Sequence, residues 1–322
     1  MKVTIGICAY NVEDYIEQCL RSAMAQSYSN IEIIVIDDGS TDQTGNIISR
    51  LANEDPRIKF LHKKNEGHAA GREDIVKMMT GDAVYWLDSD DYLYEDAVSR
   101  CVELMEKYNA DIVKTPIKQT DALYAGLYNR HDYLKILIPD KIHSNVIGSL
   151  FSKKMYEGVH HHIGFTFEDY FIYPRLADNL GLIVVDDKFT YGYRAVRPGS
   201  VTFNGRSKFR GFFPRAVHHA DRYMRYKKEF PEETKVVLKR FVDYACMAVL
   251  FAKEEDRENK EQVIATISRL KGDIYASKEV SVYKKFLVKE ILKKSAALPA
   301  FKILHTVKGN IRTRIDRMKG VG

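Results

Sequence analysis

A regular alternation of strand and helix patterns runs through the first third of the chain. Short apolar runs rich in branched residues, typical of buried strands, alternate with stretches whose apolar residues recur every three or four positions, typical of helices. The predicted strands are residues 3–9, 31–36, 58–61, 83–87 and 111–114, and the predicted helices are 12–25, 42–51 (capped by Thr41 or Asp42), 69–79 and 94–108. This order predicts an α/β domain built from βαβ units around a mostly parallel sheet.

The rest of the chain divides into two further regions. Residues 115–205 are less regular, with predicted strands at 146–151, 182–185 and 189–193 and a predicted helix at 168–180. Helical periodicity then dominates, with predicted helices at 212–229, 233–252, 261–270, 280–292 and 300–318. Residues 1–205 carry 22 Lys and Arg against 30 Asp and Glu, a net of −8, whereas residues 206–322 carry 28 against 14, a net of +14. We therefore expect an α/β domain over 1–205 and a basic α-helical region over 206–322.

Composition is that of an ordinary globular protein, with 45% hydrophobic and 29% charged residues. The four cysteines, at positions 8, 19, 101 and 246, are too far apart for metal-ligand or redox spacing. The apolar run at the N-terminus is too short for a signal peptide, and no apolar stretch is long enough to span a bilayer. These features predict a reduced, cytoplasmic chain.

Polar residues lie at or just past the carboxyl ends of several predicted strands. They are Asn11, Asp37, Asp38, Asp88 and Asp90, and ligands of such sheets bind at this edge. Acidic groups after the buried run 83–87 are costly unless their charge is offset. A divalent cation holding a phosphorylated ligand would offset it, because hard cations take oxygen ligands. An acidic turn that caps the next helix is the alternative, and the Asp-x-Asp (DXD) motif alone leaves both open.

Four segments in order strengthen the metal interpretation. They are Ile-Cys-Ala-Tyr-Asn at 7–11, Val-Ile-Asp-Asp-Gly-Ser-Thr-Asp at 35–42, Asn-Glu-Gly-His-Ala-Ala-Gly-Arg at 65–72 and Trp-Leu-Asp-Ser-Asp-Asp at 86–91. Their order and spacing closely resemble the N-terminal half of the family 2 glycosyltransferases, which have the GT-A fold and use nucleotide-diphospho-sugars. The resemblance covers roughly residues 1–205. Cys8 and Glu73 depart from it, since many relatives carry proline and asparagine there.

The resemblance implies a nucleotide-sugar pocket. Ala9, Tyr10 and Glu13 would line it, with Glu13 accepting hydrogen bonds from ribose hydroxyls. Asp38 would accept from the uracil N–H of a UDP-sugar, and Arg72 would contact the diphosphate or sugar or brace the acidic site. The alternatives are a first-turn helix carboxylate for Glu13, a turn or cap residue for Asp38 and a surface arginine for Arg72.

The resemblance also implies the metal and the base. Asp90 would be the direct ligand of Mg²⁺ or Mn²⁺, with Asp88 contacting the ion, the ribose or the donor sugar. Inverting transfer requires a carboxylate that takes the proton of the acceptor hydroxyl. The family's Glu-Asp pair matches Glu168 and Asp169, so Asp169 is assigned as the base and Glu168 as a group that orients the acceptor or tunes that base. An acidic pair at a helix N-terminus is the alternative.

A post-catalytic loop is implied at residues 191–202. In relatives an aromatic and basic stretch followed by serine closes over the diphosphate, which makes Arg197 and Ser200 candidates here. A solvated basic loop is the alternative. The three histidines at 160–162 are interpreted as a solvated loop near the acceptor rather than a metal site, and Trp86 is expected in the core or along the sugar cleft.

The end of the chain is strongly basic. Residues 293–322 hold eight Lys and Arg against one acid, Asp316, and place apolar residues at helical spacing. A basic amphipathic helix is typical of a membrane-surface or partner-docking element. Nucleic acid is not expected as a partner, because no recognition motif accompanies the charge.

These observations lead to one hypothesis and two alternatives. The chain is predicted to be a metal-dependent, inverting glycosyltransferase that moves a hexosyl or N-acetylhexosaminyl group from a UDP-sugar to a hydroxyl of a glycan, cell-wall polymer or lipid-linked acceptor. It would be cytoplasmic, peripheral on the inner membrane face, and able to form a homo-oligomer. A nucleotidyltransferase would be expected to carry a Gly-rich, lysine-bearing loop, and residues 5–11 hold only Gly6 and no lysine. A non-catalytic sugar-binding subunit would be expected to lack the base or the metal aspartates.

Overall fold

The computed structural model of the chain describes residues 1–161, 163–164, 168–194, 208–304 and 306. The chain divides into two compact units, residues 1–198 and 199–322. The predicted boundary at 205/206 falls outside the described residues and stays a prediction.

The first unit is built on strands in two sheets. The strands are β1 Val3–Ala9, β2 Ile31–Asp37, β3 Ile58–His62, β4 Ala83–Asp88, β5 Tyr92–Leu93, β6 Ile112–Lys114, β7 Gly126–Asn129, β8 Ser149–Ser152, β9 Leu182–Val185 and β10 Tyr191–Gly192. An eight-stranded sheet has the order β3-β2-β1-β4-β8-β6-β9-β7, and β10 pairs with β5 in a small second sheet.

Helices connect these strands. They are α1 Ile16–Met24, α2 Thr44–Glu54, α3 His68–Met78, α4 Ala97–Tyr108, α5 Gln119–Ala122, α6 Arg130–Leu137 and α7 Asp169–Leu176. The strands β1 and β2 are buried along their whole length, as expected for a sheet covered by helices on both faces. The predicted α/β fold with a mostly parallel sheet is confirmed.

Strand register decides which side chains meet at the sheet edge. β1 is parallel to both β2 and β4, with Ala9 opposite Asp37 and Cys8 opposite Asp88. The carboxyl ends of these three strands therefore lie side by side, which is where ligands of such sheets bind.

Two predicted helices begin later than expected. α1 starts at Ile16 and not at residue 12, because the N–H of Val12 donates to Thr44 Oγ1 at 2.9 Å and that of Glu13 to Asp42 Oδ2 at 3.2 Å. These bonds hold residues 12–15 as a turn against the loop before α2. α4 starts at Ala97, because Tyr92–Leu93 pairs antiparallel with Tyr191–Gly192. A long-range partner overrides the local helical pattern in both cases.

Trp86 packs in the core of this unit, as predicted. Its side chain is buried, and Nε1 donates to the Tyr156 hydroxyl at 2.6 Å. The elements α5, α6 and β7 are absent from the sequence prediction, since each is short and carries little periodicity.

The second unit is helical. Its helices are α8 Lys208–Tyr226, α9 Glu233–Phe251, α10 Arg257–Arg269, α11 Lys271–Ala276 and α12 Val282–Leu292, and residues 298–304 and 306 are also helical. The predicted helix over 300–318 lies partly outside the described residues. Phe213, Tyr226, Phe230 and Phe241 are buried in this unit. Within the part of the chain that the structure describes, every helix is too short or too polar to cross a membrane.

Candidate active site

Three carboxylates gather at the end of β4. Asp88 is the last residue of the strand, and one oxygen from each of Asp88, Asp90 and Asp91 lies within 4.8 Å of the others. Asp91 is buried and accepts from the Tyr191 hydroxyl and the Arg194 N–H, both at 2.8 Å. Asp91 thus ties β10 to the turn that carries the other two aspartates, a role that the sequence alone did not suggest.

Placing three carboxylates this close together is unfavourable unless a positive charge offsets their repulsion. Burial, and next the neighbouring Asp88, raise the pKa of Asp91 to about 7, and burial likewise raises the pKa of Asp88. A divalent cation would offset this repulsion, and three hard oxygen donors fit Mg²⁺ or Mn²⁺. Among the described residues, this is the one group of three such side chains close enough to hold a metal ion.

The helix-cap alternative for the DXD motif is wrong. α4 begins only at Ala97, and the residue at its N-cap is Asp96. Asp88 and Asp90 therefore do not cap it.

The predicted base pair lies beside the cluster. Glu168 stands at the N-cap of α7 and Asp169 is the first residue of that helix. From α3, Arg72 donates to Glu168 Oε1 at 3.0 Å and to Asp88 Oδ1 at 3.4 Å, and it also pairs with Asp169 Oδ1. One side chain thus joins acids from β4 and α7.

Arg72 is buried and is not a surface residue. It is 2% exposed, and its guanidinium carbon lies 5.5 Å from the centre of the Trp86 ring. The surface-arginine alternative is therefore wrong, and a bracing position fits the geometry. The α3 helix carries Arg72 into the acidic site because Ala69, Ala70 and Ile75 bury the same helix against the sheet.

His68 is a site residue that the sequence interpretation missed. Its Nδ1 lies 2.8 Å from Glu168 Oε1 and its Nε2 lies 3.8 Å from Asp88 Oδ1. A signal was present, because His68 precedes Arg72 by four residues and shares its helix face.

The two acids of α7 have opposite pKa shifts. Burial raises the pKa of Asp169 to about 6, against the opposing charge of Arg72. Glu168 is also buried, but the positive charges of His68 and Arg72 outweigh that effect and hold its pKa well below the usual range. Asp169 is therefore the acid suited to exchange a proton near neutral pH.

Asp38 is buried at the end of β2, where it holds a loop. Its two carboxylate oxygens accept from the N–H groups of Glu66 at 2.9 Å and Gly67 at 2.8 Å. Gly67 adopts φ 90°, which favours glycine. This contact agrees with the turn interpretation, and the uracil contact stays a prediction.

The residues predicted to line the nucleotide pocket follow β1. Ala9 is buried and its carbonyl accepts from the Asp38 N–H at 2.9 Å, whereas Tyr10 is exposed. Glu13 is exposed, and its Oε2 accepts from the Gln43 N–H at 2.8 Å. Asn11 adopts φ 49° and accepts from the Thr41 N–H at 2.8 Å. These bonds join the turns after β1 and β2, and the ligand roles stay predictions.

Arg197 and Ser200 lie outside the described residues, so their predicted contact with the diphosphate stays a prediction. The described part of that segment ends at Arg194. The guanidinium carbon of Arg194 lies 5.4 Å from the centre of the Tyr15 ring and 5.5 Å from that of the Tyr92 ring.

The interpretation of the histidines as a solvated loop is wrong for His161. Its side chain is 1% exposed, stacks on Tyr156 with ring centres 6.1 Å apart, and places Nδ1 3.3 Å from Glu73 Oε2. Glu73, one of the departures from the family pattern, supplies the acceptor that lets the imidazole be buried. His160 is exposed and also contacts Glu73, at 3.0 Å, while His162 lies outside the described residues.

Comparisons with known proteins agree with this geometry. The family model described as Glycosyl transferase family 2 matches residues 4–167. Glycosyltransferase GlyA of Streptococcus pneumoniae is 29% identical over 219 residues, which cover 62% of this chain and 31% of GlyA. Chondroitin synthase of Pasteurella multocida is 37% identical over 131 residues, covering 39% of this chain and 14% of the synthase. The chain thus spans a third or less of the length of these two curated relatives.

Solved structures share the fold. Residues 1–349 of S. aureus TarS in complex with UDP-GlcNAc give a TM-score of 0.67 at 17% identity, covering 92% of this chain and 93% of that one. The mannosyltransferase PcManGT from Pyrobaculum calidifontis, in complex with GDP-Man and Mn²⁺, gives 0.56 at 16% identity, covering 95% and 86%. Because the family model covers half of the sequence and the fold agrees, the chain belongs to glycosyl transferase family 2.

Proposed function

We propose that this chain is a metal-dependent, inverting glycosyltransferase that moves a sugar from a UDP-sugar to a hydroxyl of a glycan, cell-wall polymer or lipid-linked acceptor. The proposal rests on the set of acids that Arg72 contacts. It contacts Asp88 of the three-carboxylate cluster and both Glu168 and Asp169. A carboxylate cluster suited to a divalent cation and a partly exposed acid of raised pKa, Asp169, therefore both contact the same arginine. Transfer from a nucleotide-diphospho-sugar to a hydroxyl needs both groups close together.

Each group has a defined part in this reaction. Asp169 takes the proton of the acceptor hydroxyl as the acceptor oxygen bonds to the anomeric carbon and the bond from that carbon to the diphosphate oxygen breaks. Glu168 stays ionised and orients the acceptor, and Arg72 holds both acids in place. Asp88, Asp90 and Asp91 would hold Mg²⁺ or Mn²⁺, which when bound stabilises the negative charge of the leaving nucleoside diphosphate.

Two observations favour a uridine nucleotide. TarS, which shares the fold, has been solved with UDP-GlcNAc and with UDP, and the family resemblance gives the buried Asp38 the role of accepting from the uracil N–H. UDP-GlcNAc is therefore the first donor to test.

Donor binding is expected to need the metal. UDP-GlcNAc with Mn²⁺ should raise the melting temperature, since a ligand at 100 times its Kd stabilises by about 2.7 kcal/mol, and the shift should shrink with EDTA or in Asp90→Asn. The exposed Asp187 gives a matched control, so Asp187→Asn should keep the full shift.

The same samples separate the alternatives. Release of UDP marks an enzyme, whereas binding without turnover would indicate a non-catalytic module. A panel of UDP-, GDP- and other nucleotide sugars that gives neither a shift nor turnover would refute the proposal.

We also propose that the second unit meets an anionic membrane surface. Val282 and Phe286 of α12, together with Ile303 and Leu304, are exposed large apolar side chains. The helix α12 and the helical residues 298–304 are adjacent, because the Phe286 and Phe301 rings lie 6.0 Å apart. Lysines at 285, 289, 293, 294 and 302 accompany them, and each basic residue near anionic lipid contributes about 1 kcal/mol.

Vesicle binding tests this surface. Phe286→Ser combined with Ile303→Ser should weaken co-sedimentation with phosphatidylglycerol vesicles several-fold, as should deletion of residues 293–322, and high salt should weaken it further. The exposed Leu123 and Leu127 of the first unit supply a control pair, because changing both to serine should leave binding unchanged. If the Phe286→Ser and Ile303→Ser variant binds vesicles like the wild type but has a smaller mass than the wild type in analytical ultracentrifugation, the surface would instead bind a second copy of the chain.

A further inference from the structure

His68 stands at the acidic site, but the proposed reaction assigns it no part. It is the first residue of α3 and follows Gly67, whose N–H donates to Asp38 Oδ2 at 2.8 Å. The neighbouring N–H of Glu66 donates to Asp38 Oδ1 at 2.9 Å. The buried Asp38 carboxylate thus fixes the turn from which the imidazole projects toward Glu168.

The imidazole is exposed, whereas its neighbours in the site are not. The His68 side chain is 39% exposed, but those of Arg72 and Glu168 are only 3% and 10% exposed. Arg72 therefore holds Glu168 from the protein interior, and His68 holds it from the solvent side. Of these two donors, His68 is the one that solvent, and with it a substrate, can reach.

The ring nitrogen Nδ1 of His68 donates to Glu168. It lies 2.8 Å from Glu168 Oε1. Glu168 is ionised, because its pKa lies well below the usual range, and an ionised carboxylate only accepts hydrogen bonds, so the shared proton belongs to Nδ1. The other ring nitrogen, Nε2, lies 3.8 Å from Asp88 Oδ1, which is beyond hydrogen-bond distance. The bond to Glu168 is therefore the stronger link between this ring and the acidic site.

Two donors meet on one oxygen of Glu168. Arg72 Nη1 donates at 3.0 Å to the same Oε1 that accepts from His68. Two N–H groups from different side chains fix both the position of Oε1 and the rotation of the carboxylate about its last bond. Neither of these donors binds Oε2, which can accept from a substrate hydroxyl. A carboxylate held in one orientation is preorganised to align an acceptor.

His68 acts on Glu168 more selectively than Arg72 does. Arg72 also pairs with Asp88 and Asp169, so its loss disturbs the metal cluster and the base together. The hydrogen bond that the His68 ring makes goes to Glu168. A change at His68 therefore tests the orientation of Glu168 while the contacts of the arginine stay in place.

We propose that His68 is a positioning residue whose Nδ1–H fixes the Glu168 carboxylate in the orientation that aligns the acceptor hydroxyl with Asp169. This role rests on the proposed glycosyltransferase function and adds to it the residue that sets acceptor orientation. When no glycan is supplied, water takes the place of the acceptor. The rate of nucleotide-sugar hydrolysis therefore reports the same alignment.

Asparagine and glutamine at position 68 separate the roles of the two ring nitrogens. The amide nitrogen of asparagine lies as many bonds from Cα as Nδ1 does, and that of glutamine lies as many as Nε2. The full chain is assayed with Mn²⁺ and UDP-GlcNAc, or with the nucleotide sugar of the panel that the wild type hydrolyses fastest. His68→Asn should keep kcat for release of the nucleoside diphosphate within about threefold. His68→Gln and His68→Ala should lower it about tenfold to a hundredfold, because a charge-assisted hydrogen bond is lost and Glu168 is misplaced.

Donor binding and a double variant show whether His68 acts through Glu168. The Kd for the nucleotide sugar, measured by calorimetry, should change less than about threefold in the three variants, which also shows that they are folded. In a Glu168→Ala background, His68→Ala should lower kcat by less than about threefold further, since the group that it positions has gone.

His143 supplies a matched imidazole as the control. Its side chain is 40% exposed, and its Nδ1 lies 2.8 Å from Oδ1 of the buried Asp121. Exposure and bond length thus match those of His68. His143→Gln removes this bond and should leave kcat unchanged.

The possible outcomes keep this role and the proposed function distinct. Equal losses in His68→Asn and His68→Gln, wild-type turnover in all three variants, or a full further loss in the Glu168→Ala background would overturn the positioning role alone. So would a weaker Kd for the nucleotide sugar at unchanged kcat, which would make His68 a donor ligand. If the wild type hydrolyses no nucleotide sugar of the panel, the proposed function is overturned, and the role of His68 with it.

Discussion

Replacing Asp169 with asparagine is expected to slow sugar transfer by about 10²–10⁴-fold, the usual contribution of a general base. The amide keeps the shape of the side chain but cannot take the acceptor proton. Arg72 still pairs with Glu168 and Asp88 in this variant, so the donor site should stay assembled. We therefore expect kcat to fall while the Kd for the UDP-sugar, measured by calorimetry, changes less than about threefold.

The pH dependence adds a second readout of the same variant. A base must be deprotonated to act, and burial raises the pKa of Asp169 to about 6. In the wild type, kcat/KM should therefore decline about tenfold per pH unit below pH 6 and level off above it. Asp169→Asn should lose this acidic limb, whereas Asp187→Asn, at an exposed site, should keep both rate and limb. Wild-type turnover in Asp169→Asn, or a limb that persists in it, would assign the base to another group.

The sheet edge could be predicted because its causes are local. Branched apolar runs identify buried strands, and the alternation with helices makes them parallel, so their carboxyl ends must share an edge. Asp88 and Asp38 each follow such a run, and their placement depends on little else. The resemblance then supplied Asp169, which lies in a region of weak periodicity.

The parts that could not be predicted depend on long-range pairing. Burial of His161 requires Glu73, 88 residues earlier in the chain, and a single sequence gives no means of pairing the two. α4 starts later than predicted because Tyr92 pairs with Gly192 of the distant strand β10. Asp91 gains its partners only through that same pairing. Local propensity carries no information on any of these contacts.

The second large effect is expected from Arg72→Met. The arginine is almost fully buried, and its removal leaves Glu168, Asp169 and Asp88 without their shared cation. Breaking a buried ion pair by removing one partner usually costs about 3–5 kcal/mol, because a buried charge is left uncompensated. Urea denaturation at pH 7 in the absence of metal should show a loss of this size.

Arg50 provides the matched control. It is half exposed and pairs with Glu17 and Glu54 at the surface, where ion pairs contribute about 0–1 kcal/mol. Arg50→Met should therefore leave the urea midpoint nearly unchanged. Equal losses in the two variants would show that Arg72 does not stabilise the acidic site more than a surface pair does.

Lowering the pH should reduce the effect of Arg72→Met. In the wild type, the depressed pKa of Glu168 contributes stability above the unfolded value of about 4.3, and this contribution is lost as the pH falls through the folded pKa. Without Arg72 part of that contribution is already missing, and the pKa of Asp169 rises further because an opposing charge has gone. The variant then takes up protons at a higher pH than the wild type, so the difference in unfolding free energy should be largest near pH 7 and shrink toward pH 4. A loss that stays constant with pH would instead indicate a packing defect around Trp86.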